Sequence, residues 1–256
     1  MYLVPLIVLL ALTSPIFGAD GADGNAGTPA SEALFRAGDE LFFKKKDYAG
    51  ALDLYQKAAA AGDLRAYHNM GLIYSTRLKE PDHAKAVASY LRAAEKGYAP
   101  AQNSLGLLYQ TGRGVPVDPV KAAIWYRKAA DQDFLQAQAN LGALYLSGAG
   151  VERDFSQALH WFERAARRGH PRAKAQIGRM VHNGWGVEQN PAQAKTYYED
   201  AAAHGDSVAQ HGLGRLYDEG VAVDADRGKA VSWYQKAARR GHEKSRARLK
   251  ALGETW

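Results

Sequence analysis

Ala101–Ala130, AQNSLGLLYQTGRGVPVDPVKAAIWYRKAA, is the stretch that decides how this chain folds. Its second half sets Ala122, Trp125, Tyr126, Ala129 and Ala130 at i, i+3, i+4, i+7 and i+8, one apolar stripe along a helix. Its first half carries a matching stripe in Ala101, Leu105, Leu108 and Tyr109. Between them, Gly112-Arg113-Gly114-Val115 ends one helix, glycine supplying left-handed backbone angles. Asp118-Pro119 starts the next, an Asx N-cap followed by proline at the first helical position. The stretch therefore reads as two helices joined by a loop. Neither can hide its stripe alone.

Working outward, the same pattern recurs along the chain. The residue pairs ending in a mid-helix glycine are Met70-Gly71, Leu105-Gly106, Leu141-Gly142, Ile177-Gly178 and Leu213-Gly214, spaced by 35 and then 36 residues. The aromatic position is Tyr55, Tyr90, Tyr126, Phe162, Tyr198 and Tyr234, and two alanines follow each. Large rings facing paired alanines let neighbouring helices approach while filling the space between them. Mid-helix glycine costs about 1 kcal/mol relative to alanine, so its recurrence implies a packing reason. A period of this length repeated through a chain predicts a stack of helix pairs.

The consensus of these copies resembles the Sel-1-like repeat, a longer-looped relative of the tetratricopeptide repeat. Ala101–Ala130 and Ala137–Gly169 match it almost letter for letter. The opening copy, with Leu34, Gly38, Leu41, Tyr48, Ala51, Tyr55 and Ala58, resembles a plain tetratricopeptide repeat. Departures are few: Asp133 stands for a closing glycine, Ala222 for a loop glycine and Met180-Val181 for Leu-Tyr. The resemblance implies an all-α fold, an α-α superhelix in the form of a right-handed solenoid of about six helix pairs with a C-terminal capping helix. The expected organisation is a tetratricopeptide-like pair over 32–63, five Sel-1-like pairs over 64–241 and a cap over 242–256.

The N-terminus carries a different signal. Leu3 to Leu12 is apolar except for Pro5, and Thr13-Ser14-Pro15 leads to the small residues Gly18 and Ala19. That order matches a secretory signal over 1–19, followed by a flexible tether over 20–31. Export to a periplasm or secretion is the expectation; the alternative is an uncleaved N-terminal anchor. The apolar run is short of the roughly 20 residues that span a bilayer, so no integral span is expected in the mature chain. Cysteine is absent, which excludes disulfide scaffolds, thiol nucleophiles and cysteine-ligated zinc.

The chain is moderately basic, with net charge +6. That favours acidic partners, anionic lipid or nucleic acid, without choosing among them. In tetratricopeptide-type stacks the first helix of each pair lines the concave face, and the resemblance implies the same here. The register then exposes Arg65 and His68, then Asn103 and Leu107, and, in the C-terminal half, Arg172, Arg179, His182, His211 and Arg215. An apolar middle with guanidinium groups at one end suits an extended protein or peptide with an acidic segment or free carboxylate, which arginine grips bidentately. The competing reading makes these charges a solvated helix face.

Trp185, between two loop glycines, is either an interface anchor or a filler for space left by Val181. His170, His204 and His242 each adjoin a helix-closing glycine and read as C-terminal caps. Histidine spacing gives no metal site, no serine has a nucleophile elbow, and no cofactor is expected. Nucleic acid is not the expected partner either: basic runs near Arg164 and Lys236 lack interleaved stacking platforms. The sequence predicts an exported, non-catalytic scaffold or adaptor that assembles or regulates a cell-envelope complex. The runner-up is a secreted effector or host-interaction protein.

Overall fold

The structure, a computed structural model, describes residues 27–256. The expected signal at 1–19 and most of the tether lie outside the described residues. Two compact units make up the rest, 27–154 and Phe155–Trp256. No strand occurs among the described residues.

The first unit holds α1 (Pro29–Asp39), a π-helical turn (Glu40–Lys45), α2 (Tyr48–Ala60), α3 (Leu64–Thr76), α4 (His83–Glu95), α5 (Ala99–Thr111), α6 (Pro119–Ala130) and α7 (Leu135–Ser147). The second holds α8 (Phe155–Arg167), α9 (Pro171–Asn183), α10 (Pro191–Ala203), α11 (Ser207–Glu219), α12 (Arg227–Arg239) and α13 (Glu243–Ala251). Within each unit every helix packs on the next one in sequence, the stacking of an all-α solenoid. The expected helix pairs and cap are all present. Leu249 of α13 is fully buried and joins Ala230, Tyr234 and Ala238 of α12, closing the last apolar face.

Local chemistry sets the helix ends where the sequence placed them. Asp118 accepts from Lys121 N at 2.9 Å and Asn190 from Gln193 N at 3.0 Å, each ahead of an N-terminal proline. Gly112 ends α5 at φ 71°, in the left-handed region. The two departures from glycine keep that geometry without its freedom: Asp133 sits at φ 60° and Ala222 at φ 61°. The histidines need correcting. His204 turns its Nδ1 to Asp200 O at 3.0 Å and does serve the preceding helix. His170 and His242 instead cap the helix that follows, Nδ1 accepting from Ala173 N and Ser245 N, each at 3.2 Å. Neutral imidazole has an acceptor nitrogen, so it can do what aspartate does at the equivalent position.

The mid-helix glycine now has its physical cause. Tyr126 is fully buried, and its ring lies flat on the α5 backbone at Gly106, where a Cβ would stand 2.6 Å from ring carbons. The same contact joins Gly71 to Tyr90, Gly178 to Tyr198 and Gly214 to Tyr234. The tryptophans beside these tyrosines differ from expectation. Trp161 is core, but Trp125 and Trp233 are only half-buried. One position before the tyrosine, they sit on the flank of the stripe rather than its centre.

Candidate interaction surface

Side-chain bonds tie the first helices of consecutive pairs along one face. In the first unit His68 Nε2 meets Ser104 Oγ at 3.2 Å, and Asn140 Nδ2 donates to Asn103 Oδ1 at 3.0 Å. In the second, His211 Nδ1 meets Ser245 Oγ at 2.9 Å. The pattern is one position in register: the residue three before the helix glycine bonds to the next copy. Asn103 is thus a rung of this ladder, with Leu107 half-buried one turn on. Both belong to the first unit. Arg65, read from sequence as a groove residue, is a staple there instead, bonded to Asp63 and Glu32.

The cationic end lies wholly in the second unit, on α9, α11 and the start of α13. At the rung position α9 carries Ala175, and the adjoining position of α11 carries Gly212, so no polar bond forms and the two helices pack directly. Arg179 and Arg215 each follow a helix glycine by one residue and so repeat one another on this face. Arg215 is bonded within its own helix to Glu219, with Nε–Oε1 at 2.9 Å. Among the described residues Arg172 and Arg179 have no ion pair. Burial holds the Arg179 guanidinium below its ordinary range, with Arg172 adding to the effect. Lys244 joins the same field, acting on His211 and His242.

His182 and His211 are placed differently from the sequence expectation. His182 is 4% exposed and packs on Tyr198. His211 lies between Tyr234 and His242, the two histidine rings 4.5 Å apart. Both are lowered, chiefly by burial, so the positive charge on this face is carried by Arg and Lys. Trp185 stacks parallel on Phe155, ring centres 6.2 Å apart, and Arg179 lies over its ring at 5.0 Å. It packs, as one of the two readings held, but against α8 and Arg179 rather than in a void at Val181. Its use is to hold the Arg179 guanidinium.

The histidines make a pH prediction. Burial pushes His211 down to about 3 and His242 to about 4, against an unfolded value near 6.5. Below pH 6.5 the unfolded chain gains protons that the folded chain refuses. The stabilisation is therefore complete above that pH and is lost as pH falls toward 4. The expected loss between pH 7.5 and 5 is up to about 2 kcal/mol for each of the two, read from urea unfolding. His242→Asn should remove its share of the dependence, whereas an unchanged midpoint over that range in the intact protein refutes it.

Sequence reasoning missed Tyr198, taken only as core. Tyr90, Tyr126 and Tyr234 each bond a residue four after the partner glycine: Ser75 at 3.4 Å, Gln110 at 2.8 Å and Asp218 at 3.1 Å. For Tyr198 that residue is His182, and the hydroxyl has no hydrogen-bond partner among the described residues. A signal existed. Polar residues accompany Tyr90, Tyr126 and Tyr234 at this spacing, whereas Tyr55 goes with Phe42 and Phe162 with Leu146, and histidine stands only with Tyr198. Cations lie over the tryptophan rings: Lys128 is 4.2 Å from the Trp125 ring centre, Arg164 4.9 Å from that of Trp161 and Lys236 3.9 Å from that of Trp233.

Comparison with known proteins gives six matches to the Sel1 repeat, over 31–63, 64–98, 99–134, 135–170, 171–206 and 207–242. The first covers the copy that reads as the plain tetratricopeptide type. A search of the curated proteins finds no match. Among solved structures, a Sel1 repeat protein from Oxalobacter formigenes is 35% identical with a TM-score of 0.76, the overlap covering 83% of this chain and 84% of that one. A protective antigen present in uropathogenic Escherichia coli strains is 32% identical with a TM-score of 0.70, over 87% of this chain and 48% of that one. The chain thus spans about half the length of that antigen. An immunity protein from Pseudomonas aeruginosa, 21% identical with a TM-score of 0.55 over 84% of this chain and 82% of that one, shares the fold.

Proposed function

This chain belongs to the Sel1 repeat family, a solenoid fold used for protein–protein interaction, and from that premise we propose that it is an exported, non-catalytic adaptor for an acidic protein segment. The segment lies along the face formed by α9 and α11, and its role is in assembling or regulating a cell-envelope complex. One observation carries the reading: among the described residues Arg172 and Arg179 stand on that face with no carboxylate of their own, while the neighbouring Arg215 has Glu219. Cations left unpaired inside a folded unit cost stability, and a partner carboxylate repays them with charge-assisted bonds. The signal-like N-terminus supports export, and no described helix is long and apolar enough to cross a membrane.

The likeness to a chain described as a protective antigen favours one second reading, a secreted or host-interaction protein using the same face. Both readings share a test. Crosslinking in the native cell, followed by recovery of partners on the intact protein and on an Arg172→Glu, Arg179→Glu, Arg215→Glu variant, should show at least a tenfold loss with the variant, equivalent to about 1.4 kcal/mol. Equal recovery removes this face as the interface.

A further inference from the structure

Three groups in the second unit lack the partners that their counterparts have or that their burial demands. The Tyr198 hydroxyl is the first: its ring is buried across Gly178 and Gly212, so the edge bearing the oxygen comes between α9 and α11. The second is Arg179, whose Nε is buried without a hydrogen bond. The third is His182, whose side chain is 5% exposed and whose Nδ1 is likewise unpartnered. These are neighbours. The His182 and Tyr198 ring centres are 6.1 Å apart, and the charges of Arg179, Arg215 and Glu219 all act on the Tyr198 hydroxyl. Buried polar groups are nearly always satisfied in native proteins, so several orphans side by side point to an absent ligand.

We propose that Tyr198 and Arg179, backed by Arg172, form a site for a single carboxylate between α9 and α11. Chemistry selects that ligand. The phenol and the guanidinium are both donors, which calls for an acceptor. Arg179 and Arg172 supply uncompensated positive charge, which calls for an anion. Glu219 already occupies Arg215 at 2.9 Å and stands 3.8 Å from His182 Nε2, so the site takes one carboxylate group at a time. Trp185 fixes the Arg179 guanidinium by lying 5.0 Å beneath it, so little freedom is lost when a carboxylate docks. The site deepens the interface reading, on which it rests for the source of the carboxylate: an Asp or Glu side chain, or a chain terminus, of the bound segment.

The test uses the full chain and succinate as probe, with chloride holding ionic strength constant. The tyrosine ring-carbon NMR signals report binding, and Tyr198→Phe assigns the relevant one. The Tyr198 signal should move saturably with succinate while the Tyr126 signal stays still. Arg179→Gln should weaken binding by roughly tenfold or more. Phosphate at the same concentrations should compete no better than succinate; tighter phosphate binding assigns the site to a phosphate group and overturns the carboxylate. Folding does not confound the result, because the Tyr198 hydroxyl has no hydrogen-bond partner among the described residues. Tyr198→Phe should keep the wild-type Tm, whereas Tyr126→Phe, which loses the 2.8 Å bond to Gln110, should lower it. A shift that chloride reproduces, or succinate binding unchanged in Tyr198→Phe and Arg179→Gln, overturns the site. Partner recovery separates the two ideas. If charge reversal abolishes recovery and succinate does not bind, the interface stands without this site. If succinate binds at Tyr198 and charge reversal leaves recovery intact, the site stands without the interface.

Discussion

Replacing Arg65 by methionine is expected to destabilise the first unit by about 3 kcal/mol, the largest effect of any single surface-reaching side chain here. The cause is Asp63, whose side chain is fully buried. Asp63 caps α3 by accepting from Arg65 N at 2.9 Å, and the Arg65 side chain answers with Nε–Oδ1 at 3.0 Å and Nη2–Oδ2 at 2.6 Å. The same guanidinium bonds Glu32 of α1 and lies 4.2 Å over the Phe35 ring, so one side chain joins consecutive copies. Methionine keeps the apolar contact and leaves a carboxylate buried with no counter-charge. Removing one partner of a buried pair costs several times what the pair itself contributes. Urea unfolding measures the loss, and hydrogen exchange should confine it to the first two copies, since each touches only its neighbours. A loss under 1 kcal/mol would show that Asp63 finds other partners or water.

Gly106→Ala is the second, and here the sign is the test. By helix propensity alone the change should stabilise α5 by about 1 kcal/mol. The new methyl, however, would stand 2.6 Å from Cδ1 and Cε1 of Tyr126, a ring fully buried between alanines and unable to retreat. Overpacking of this kind costs typically 1–3 kcal/mol, so a net loss of about 1–2 kcal/mol is expected. As a control, Gly97→Ala has open space around the new Cβ, and its cost comes only from the left-handed φ of 93°. Calorimetry on Gly106→Ala decides. A raised Tm would mean that the glycine does not serve close approach.

Much of this was legible beforehand. The positions of Tyr126, Ala129 and Gly106 in every copy, and the Asp118-Pro119 type of helix start, are one-dimensional signals that recur, and recurrence makes them readable without any other sequence. That Arg179 and Arg215 repeat one another, each one residue after a helix glycine, was also readable, because register follows from the same repeat. Other assignments failed on direction. His242 was placed at the right helix junction but caps α13 rather than α12, because the sequence does not say which way an imidazole turns. Arg65 shares the register of groove residues, yet folds back on Asp63 and Glu32. Trp125 and Trp161 look alike in sequence and differ in burial.

Periodicity alone dictated the helix pairs, their ends and the stacking of copies, because a stripe that cannot be hidden by one copy must be hidden by its neighbour. Which polar atoms are left without partners was decided only by packing in three dimensions. Tyr198 carries the same hydroxyl as Tyr126, but His182 stands opposite it where Tyr126 has Gln110, and that hydroxyl has no hydrogen-bond partner among the described residues. A hydrogen bond is a matter of tenths of an ångström between residues distant in the chain, and repeat spacing constrains the backbone, not that distance.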